Sequence, residues 1–220
     1  MFAPFRARPG RGGTGLVCLA LLVALTGCTG GPAEPPADRP VRQPATGELT
    51  TGELTTLAPK PVPLRVRVTL VFGKLPRPAR QSVQRRIGRV VGDYFDAAFL
   101  AGDYPRSDFG DAFATFTRGA AARARADRDL LTNRTLGPAT VAVTPLRREA
   151  FVSVLAPRRR AVGATARVRL VFRAVREGRP DSRVRLTGRL MLTRGASGRW
   201  RIFGYDVARS TVPAGNRSDR

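Results

Sequence analysis

From Leu64 the chain alternates strictly. Leu64, Val66, Val68, Leu70 and Phe72 fall on one side and Arg65, Arg67 and Thr69 on the other, the period of two of a half-buried strand, which Gly73 ends. The period then changes. Val83, Ile87, Val90, Val91, Tyr94, Phe95, Ala98 and Phe99 recur at spacings of three and four, with Arg85, Arg86 and Arg89 outside the stripe, and this predicts an amphipathic helix over residues 79–101. The stretch Ala101-Gly102-Asp103-Tyr104-Pro105 breaks it. A second helix is expected from Ser107 or Asp108 as cap, through Phe109, Phe113 and Phe116 toward Leu130. Its later part, Arg118 to Arg128, is nearly free of large apolar residues and must be exposed or a separate short helix.

Beyond Asn133 the alternation returns. Residues 164–175 set Ala166, Val168, Leu170 and Phe172 against Arg167, Arg169, Val171 and Arg173, and residues 182–193 set Val184, Leu186, Leu190 and Leu192 against Arg183, Arg185, Thr187 and Arg189. Glu177-Gly178-Arg179-Pro180-Asp181 between them is a hairpin turn. A last strand spans 199–208, and further strands are expected within 148–156 and 139–144. These hairpins predict an α+β domain over residues 63–212, with an N-terminal strand and helices packed on a curved antiparallel sheet, followed by a disordered tail over 213–220.

Ahead of this domain the pattern has a different character. Arg6, Arg8 and Arg11, with no acid, precede the apolar run Leu16-Val17-Cys18-Leu19-Ala20-Leu21-Leu22-Val23-Ala24-Leu25. That run is too short for a mature spanning helix, which takes about 20 residues, but suits a secretory signal. It closes on Leu25-Thr26-Gly27-Cys28, which resembles the lipobox of bacterial lipoproteins at each of its four positions. The resemblance implies removal of residues 1–27 and a diacylglyceryl anchor on Cys28, with palmitate-type acylation, on the extracytoplasmic face of the cell membrane. Residues 28–62 are rich in Pro, Gly and Thr and carry the tandem Thr46-Gly47-Glu48-Leu49-Thr50 and Thr51-Gly52-Glu53-Leu54-Thr55, so they read as a disordered linker. Flexible-coil scaling gives such a tether a reach on the order of 30 Å.

Composition narrows the chemistry. The chain of 220 residues has 39 basic and 16 acidic residues, a net charge of +23, and the three arginines ahead of Cys28 leave +20 after cleavage. Only Lys60 and Lys74 are lysine, a bias that a GC-rich genome produces by codon drift. A charge of this size favours anionic partners such as lipid headgroups, wall polymer or nucleic acid, of which export argues against nucleic acid; an envelope protein is the other partner considered. There is no histidine, and lipidation of Cys28 with loss of Cys18 would leave no thiol. Histidine- or cysteine-based nucleophilic machinery, disulfides and histidine- or cysteine-ligated metal are thereby excluded, and no cofactor is implied.

The order of helices followed by a meander of long strands, ending in Gly198-Arg199-Trp200-Arg201-Ile202-Phe203-Gly204-Tyr205-Asp206-Val207, is similar to the nuclear transport factor 2-like, cystatin-related cone fold over residues 79–210. The strand at 64–72 departs from the simplest version of that fold. The resemblance implies kinship with actinobacterial exported domains, including accessory proteins of mammalian-cell-entry lipid transporters.

Two candidate sites follow. Arg65, Arg67, Arg167, Arg169, Arg173, Arg183, Arg185 and Arg189 all stand opposite the main apolar set, so they gather on the outer face of one sheet. The alternative is a solvated face in an arginine-rich protein. The second site is a pocket inside the cone, lined by Phe95, Phe99, Phe113, Phe172, Trp200 and Asp206, which would carry an apolar small molecule if those side chains left it open. Enzymes of the cone fold place a Tyr and an Asp there, and Asp93, Tyr94, Asp96, Tyr205 and Asp206 are the residues available. Asp206 shares the alternating set of Trp200 and Ile202, which would point it inward, but it stands near the end of its strand, where an exposed rim position paired with an arginine is expected; Asp93 and Asp96 are expected to pair with Arg89 and its neighbours. No nucleophile elbow, phosphate loop or carboxylate pair at a catalytic spacing is present, so a non-catalytic binding domain is the leading reading.

Overall fold

A computed structural model describes residues 62–215. The readings that concern the signal segment, Cys28, the linker and the last five residues lie outside these.

Strand β1 (Arg65–Gly73) leads into helix α1 (Arg77–Phe95), whose first turn carries Pro78, a position where a missing N–H costs nothing. α1 runs on into one π-helical turn, Asp96–Leu100. Its expected stripe is the buried one: Val83, Ile87, Val91, Tyr94, Phe95, Ala98 and Phe99 face the core. The expected helix from 107 to 130 is instead three pieces. A 3-10 turn at Gly110–Phe113 is followed by an extended stretch at which Thr117 N–H donates to Ile202 O and Ile202 N–H to Thr115 O. Helix α2 (Arg118–Ala126), capped by the Thr117 hydroxyl, and the single turn α3 (Arg128–Leu131) complete the segment. Ala-rich α2 buries only Ala120, Ala121 and Ala124, which explains why it carries no apolar stripe of large residues.

Strands β2 (Thr140–Ala156), β3 (Gly163–Arg176), β4 (Ser182–Arg194) and β5 (Trp200–Pro213) follow, and the stretches expected at 139–144 and 148–156 are one strand. The five strands form an open sheet in the order β1-β2-β3-β4-β5. It is mixed rather than purely antiparallel, because β1 pairs parallel to β2. A parallel neighbour needs a crossover, and α1 with the segment after it supplies one. The fold is α+β, with the helices against one face of the sheet.

Two bulges decide which side chains face out. In β1, Val68 pairs with Val152 but Leu70 with Ser153, so Thr69 is an extra residue and Val71, not Leu70, turns inward. Leu70 and Phe72, expected in the core with Val68, are therefore on the outer face. In β5, Met191 pairs with Gly204 and Leu192 with Ile202, which makes Phe203 the extra residue. Trp200 and Ile202 point in, and beyond the bulge Tyr205, Val207 and Arg209 do so while Asp206 points out.

Candidate functional site

The outer face of the sheet is built by the alternation of β3 and β4. Ala164, Ala166, Val168, Leu170 and Phe172 of β3 are buried against the helices, which forces Arg167, Arg169 and Arg173 outward. Register then aligns arginines across strands. Arg67, Phe151, Arg167, Arg189 and Asp206 form one row, and Arg65, Glu149, Arg169 and Thr187 the next. Arg173 stands opposite Arg183, and Arg185 opposite Val171. All eight expected arginines are thus on one face, joined by Arg147.

Among the described residues, three carboxylates share that face. Asp206 accepts from both Nε and Nη2 of Arg189, at 3.2 and 2.5 Å, with both side chains well exposed. Asp181 pairs with Arg173 at 3.0 Å, and Glu149 lies 3.9 Å from Arg147. Pairs this exposed contribute little to stability. Between the arginine rows and the β1 bulge lies a depression of about 420 Å³ lined by Thr69, Phe151, Ser153, Thr165, Arg167 and Arg189.

The side chains expected to line an interior pocket are instead packed against one another. Phe95, Phe99, Phe113, Phe172 and Trp200 are all in the core, where Phe99 packs on Phe172 at 5.9 Å between ring centres. Tyr94 and Phe116 meet edge to face at 5.2 Å, and Phe113 and Phe116 at 5.3 Å. Asp206 is on the opposite face of the sheet from these rings.

The tyrosine and aspartate residues do not converge on a common point. Tyr94 is fully buried and donates to Leu131 O at 2.9 Å; burial, with Tyr205 nearby, holds its phenol far above the usual value. Tyr205 donates to the Asp127 carboxylate at 2.6 Å, and burial, then that bond, push it up to about 12. Asp96 pairs with Arg148 at 2.8 Å, not with Arg89, because the π-helical turn carries it toward β2. Asp93 lies with Arg86 and Arg89 along an open groove of about 460 Å³ that Arg199, Trp200 and Arg201 close on the other side. Among the described residues the buried polar side chains are Thr132, Asn133, Thr140 and Ser182, and no carboxylate is in the core. No described group of His, Cys, Asp and Glu could hold a metal ion, and no described helix is long and apolar enough to cross a membrane.

Sequence reasoning missed a half-buried polar post. Arg209, turned inward by the β5 bulge, donates to Asp129 O, Thr132 O and Asn133 Oδ1 at 2.8, 2.6 and 3.1 Å and so caps the carbonyl end of α3. Asn133 Nδ2 in turn donates to Tyr104 Oη, which donates to Phe99 O. Its role is to hold the helical segment to the sheet. The chain matches no family model, no curated protein and no solved structure.

Proposed function

We propose that this is a membrane-anchored envelope lipoprotein whose described domain binds an anionic partner through the outer face of its sheet, without catalysis. One observation carries this reading: eight arginines from three strands stand on a single face, with three carboxylates among the described residues there. Arg65, Arg67, Arg167 and Arg169 have no acid within ion-pair distance among the described residues, so their charge is available to a lipid headgroup or a wall polymer. The lipobox-like Leu25-Thr26-Gly27-Cys28 supports a diacylglyceryl anchor on Cys28, and the residues between it and β1 act as a tether. The helices laid on a curved sheet, with the closing strand from Trp200, support kinship with the cone fold. The aromatic packing favours this reading over an apolar carrier, because the side chains that would line a cone pocket occupy one another's space. The surface positions of Asp93, Asp96 and Asp206 favour it over a Tyr/Asp enzyme.

Two measurements test it. Radiolabelled palmitate should enter the protein in its host and vanish with Cys28→Ser; equal labelling of that variant overturns the anchor. The processed chain 28–220 carrying Cys28→Ser should cosediment with phosphatidylglycerol vesicles and not with phosphatidylcholine vesicles. Arg167→Gln with Arg169→Gln should weaken binding by about tenfold or more, since each charge near an anionic surface is worth about 1 kcal/mol, and salt should weaken it further. Equal, negligible binding to both vesicle types, with none to purified wall polymer, would sink the proposal.

A further inference from the structure

One end of the outer face is apolar. Phe72 and Leu155 are direct cross-strand neighbours, Leu70 stands two residues before Phe72, and Val162 N–H donates to Leu155 O. Their exposures are 56, 51, 48 and 43 %, so Phe72, Leu155 and Leu70 stand exposed together on the outer face and Val162 is exposed at the adjoining end of the sheet. Scattered exposed apolar residues are ordinary, but a contiguous group rimmed by charge marks an interaction surface.

The rim is entirely basic. The turn Pro157–Arg159 packs beside the end of β1, and its Arg158 and Arg159 adopt left-handed backbone angles, φ 48 and 61°. Such angles disfavour a side chain with a Cβ, and at this turn they serve to project successive arginines from the sheet end. Arg160, Arg194 and Lys74 are exposed at the same end. Arg158, Arg160 and Arg194, with Val162, line an open depression of about 580 Å³. Acids are missing from the strands that meet here: none occurs from residue 62 to 92, 150 to 176 or 182 to 205. The described acids instead lie in the segment 93–129, in the β3–β4 turn at the opposite end of the sheet, or singly at Glu149 and Asp206.

We infer that this end of the sheet docks into an anionic lipid bilayer, with Leu70, Phe72, Leu155 and Val162 entering the interfacial layer and Arg158, Arg159, Arg160, Arg194 and Lys74 seated on lipid phosphates. This rests on the anionic-surface reading above and narrows it to lipid. Charge complementarity selects the occupant. A second copy of the chain would bring two acid-free basic rims together, whereas an anionic bilayer satisfies both the cationic rim and the apolar centre. The tether length expected from the sequence, some 35 residues, exceeds the nine-residue length of β1, so anchoring at Cys28 leaves the far end of β1 free to reach the same membrane.

The cysteine-free processed chain allows a direct test. In the chain 28–220 with Cys28→Ser, Val162→Cys is labelled with an environment-sensitive fluorophore, and Glu177→Cys in the opposite turn is labelled as a control. On mixed phosphatidylglycerol and phosphatidylcholine vesicles the label at position 162 should shift to the blue and lose access to aqueous iodide, while that at 177 should not change. Phe72→Ser with Leu155→Ser, both at exposed positions, should keep the native circular dichroism spectrum and lower vesicle partitioning roughly tenfold or more. Arg158→Gln with Arg159→Gln should lower it comparably and flatten its salt dependence. Anionic binding with an unshifted label at 162, and no effect of Phe72→Ser with Leu155→Ser, overturns insertion and leaves the basic-face reading intact. Loss of a sedimentation-detected dimer in that variant, with vesicle binding unchanged, overturns it in favour of self-association, and no binding to any vesicle overturns both.

Discussion

Alkaline stability gives a test of the core that needs no ligand. The three tyrosines of the chain, Tyr94, Tyr104 and Tyr205, are all held above the ordinary phenol value near 10, in each case chiefly by burial. Because the folded state keeps a proton that the unfolded chain releases, the stability each tyrosine contributes is fully present below pH 10 and is lost as pH rises above it. For Tyr94, with no exposed surface, the slope is one proton, about 1.4 kcal/mol per pH unit. By pH 11.5 that amounts to about 2 kcal/mol, a sizeable part of a total of about 5–15 kcal/mol. Tyr205 is partly exposed and adds less. Few other groups titrate there, since lysines number two and arginine stays protonated in this range. The assay is urea unfolding from pH 8 to 11.5, followed by tryptophan fluorescence, with phenolate absorbance recorded at low urea. Tyr94→Phe should cost about 1–2 kcal/mol at pH 8, because Leu131 O is left buried without a donor, and should then lose stability less steeply above pH 10 than the native chain. Native-state ionisation of all three tyrosines near pH 10, or equal alkaline slopes for the two chains, would refute the reasoning.

Three further outcomes follow from single residues. Arg209→Met should destabilise by about 2–4 kcal/mol, read by the same urea unfolding, because it strips donors from three partly buried acceptors at the end of α3. Gly188 has φ +142°, and a Cβ there would meet Asp206 O at 2.2 Å, so Gly188→Ala should cost about 3 kcal/mol or more; a change below about 1 kcal/mol would show that β5 can move aside. Deleting Thr69 should cost only about 1 kcal/mol, since it is the extra residue of a bulge and every cross-strand pair survives, whereas deleting Arg169 from β3, which has no register shift against β4, should prevent folding as read by circular dichroism.

The alternation of β3 and β4 was legible because both strands are central and free of bulges against each other, so residue parity alone assigns Arg167, Arg169, Arg183 and Arg189 to the outer face. The stripe of α1 was legible for the same reason at period 3.6. Parity failed where one extra residue enters. Leu70, Phe72 and Asp206 each lie just past a bulge, and a bulge leaves no mark in hydrophobicity when its neighbours are apolar on both sides, as around Thr69 and Phe203. The parallel pairing of β1 with β2 was not legible because it is a choice of partner some 80 residues away, which local pattern does not encode. The break at Thr115 is tertiary as well: its backbone bonds go to Ile202 rather than along a helix.

The same bulge that defeats sequence parity also separates composition from design in the basic charge. A GC-rich coding bias would account for part of the number of arginines, but it would act on every position alike and gives no reason for acids to avoid one end of the sheet. Selection against acids there would be unnecessary if the end merely faced water, where mixed charges aid solubility as well as uniform ones. The bulge at Thr69 then sends Leu70 and Phe72 out at this acid-free end, at the cost of two side chains that parity would have buried. Exposed apolar groups on an edge strand invite aggregation unless something covers or blunts them. Arginines supply the blunting between copies of the chain, and under the docking proposed above the same arginines would meet an anionic bilayer, a cover that accepts both features at once.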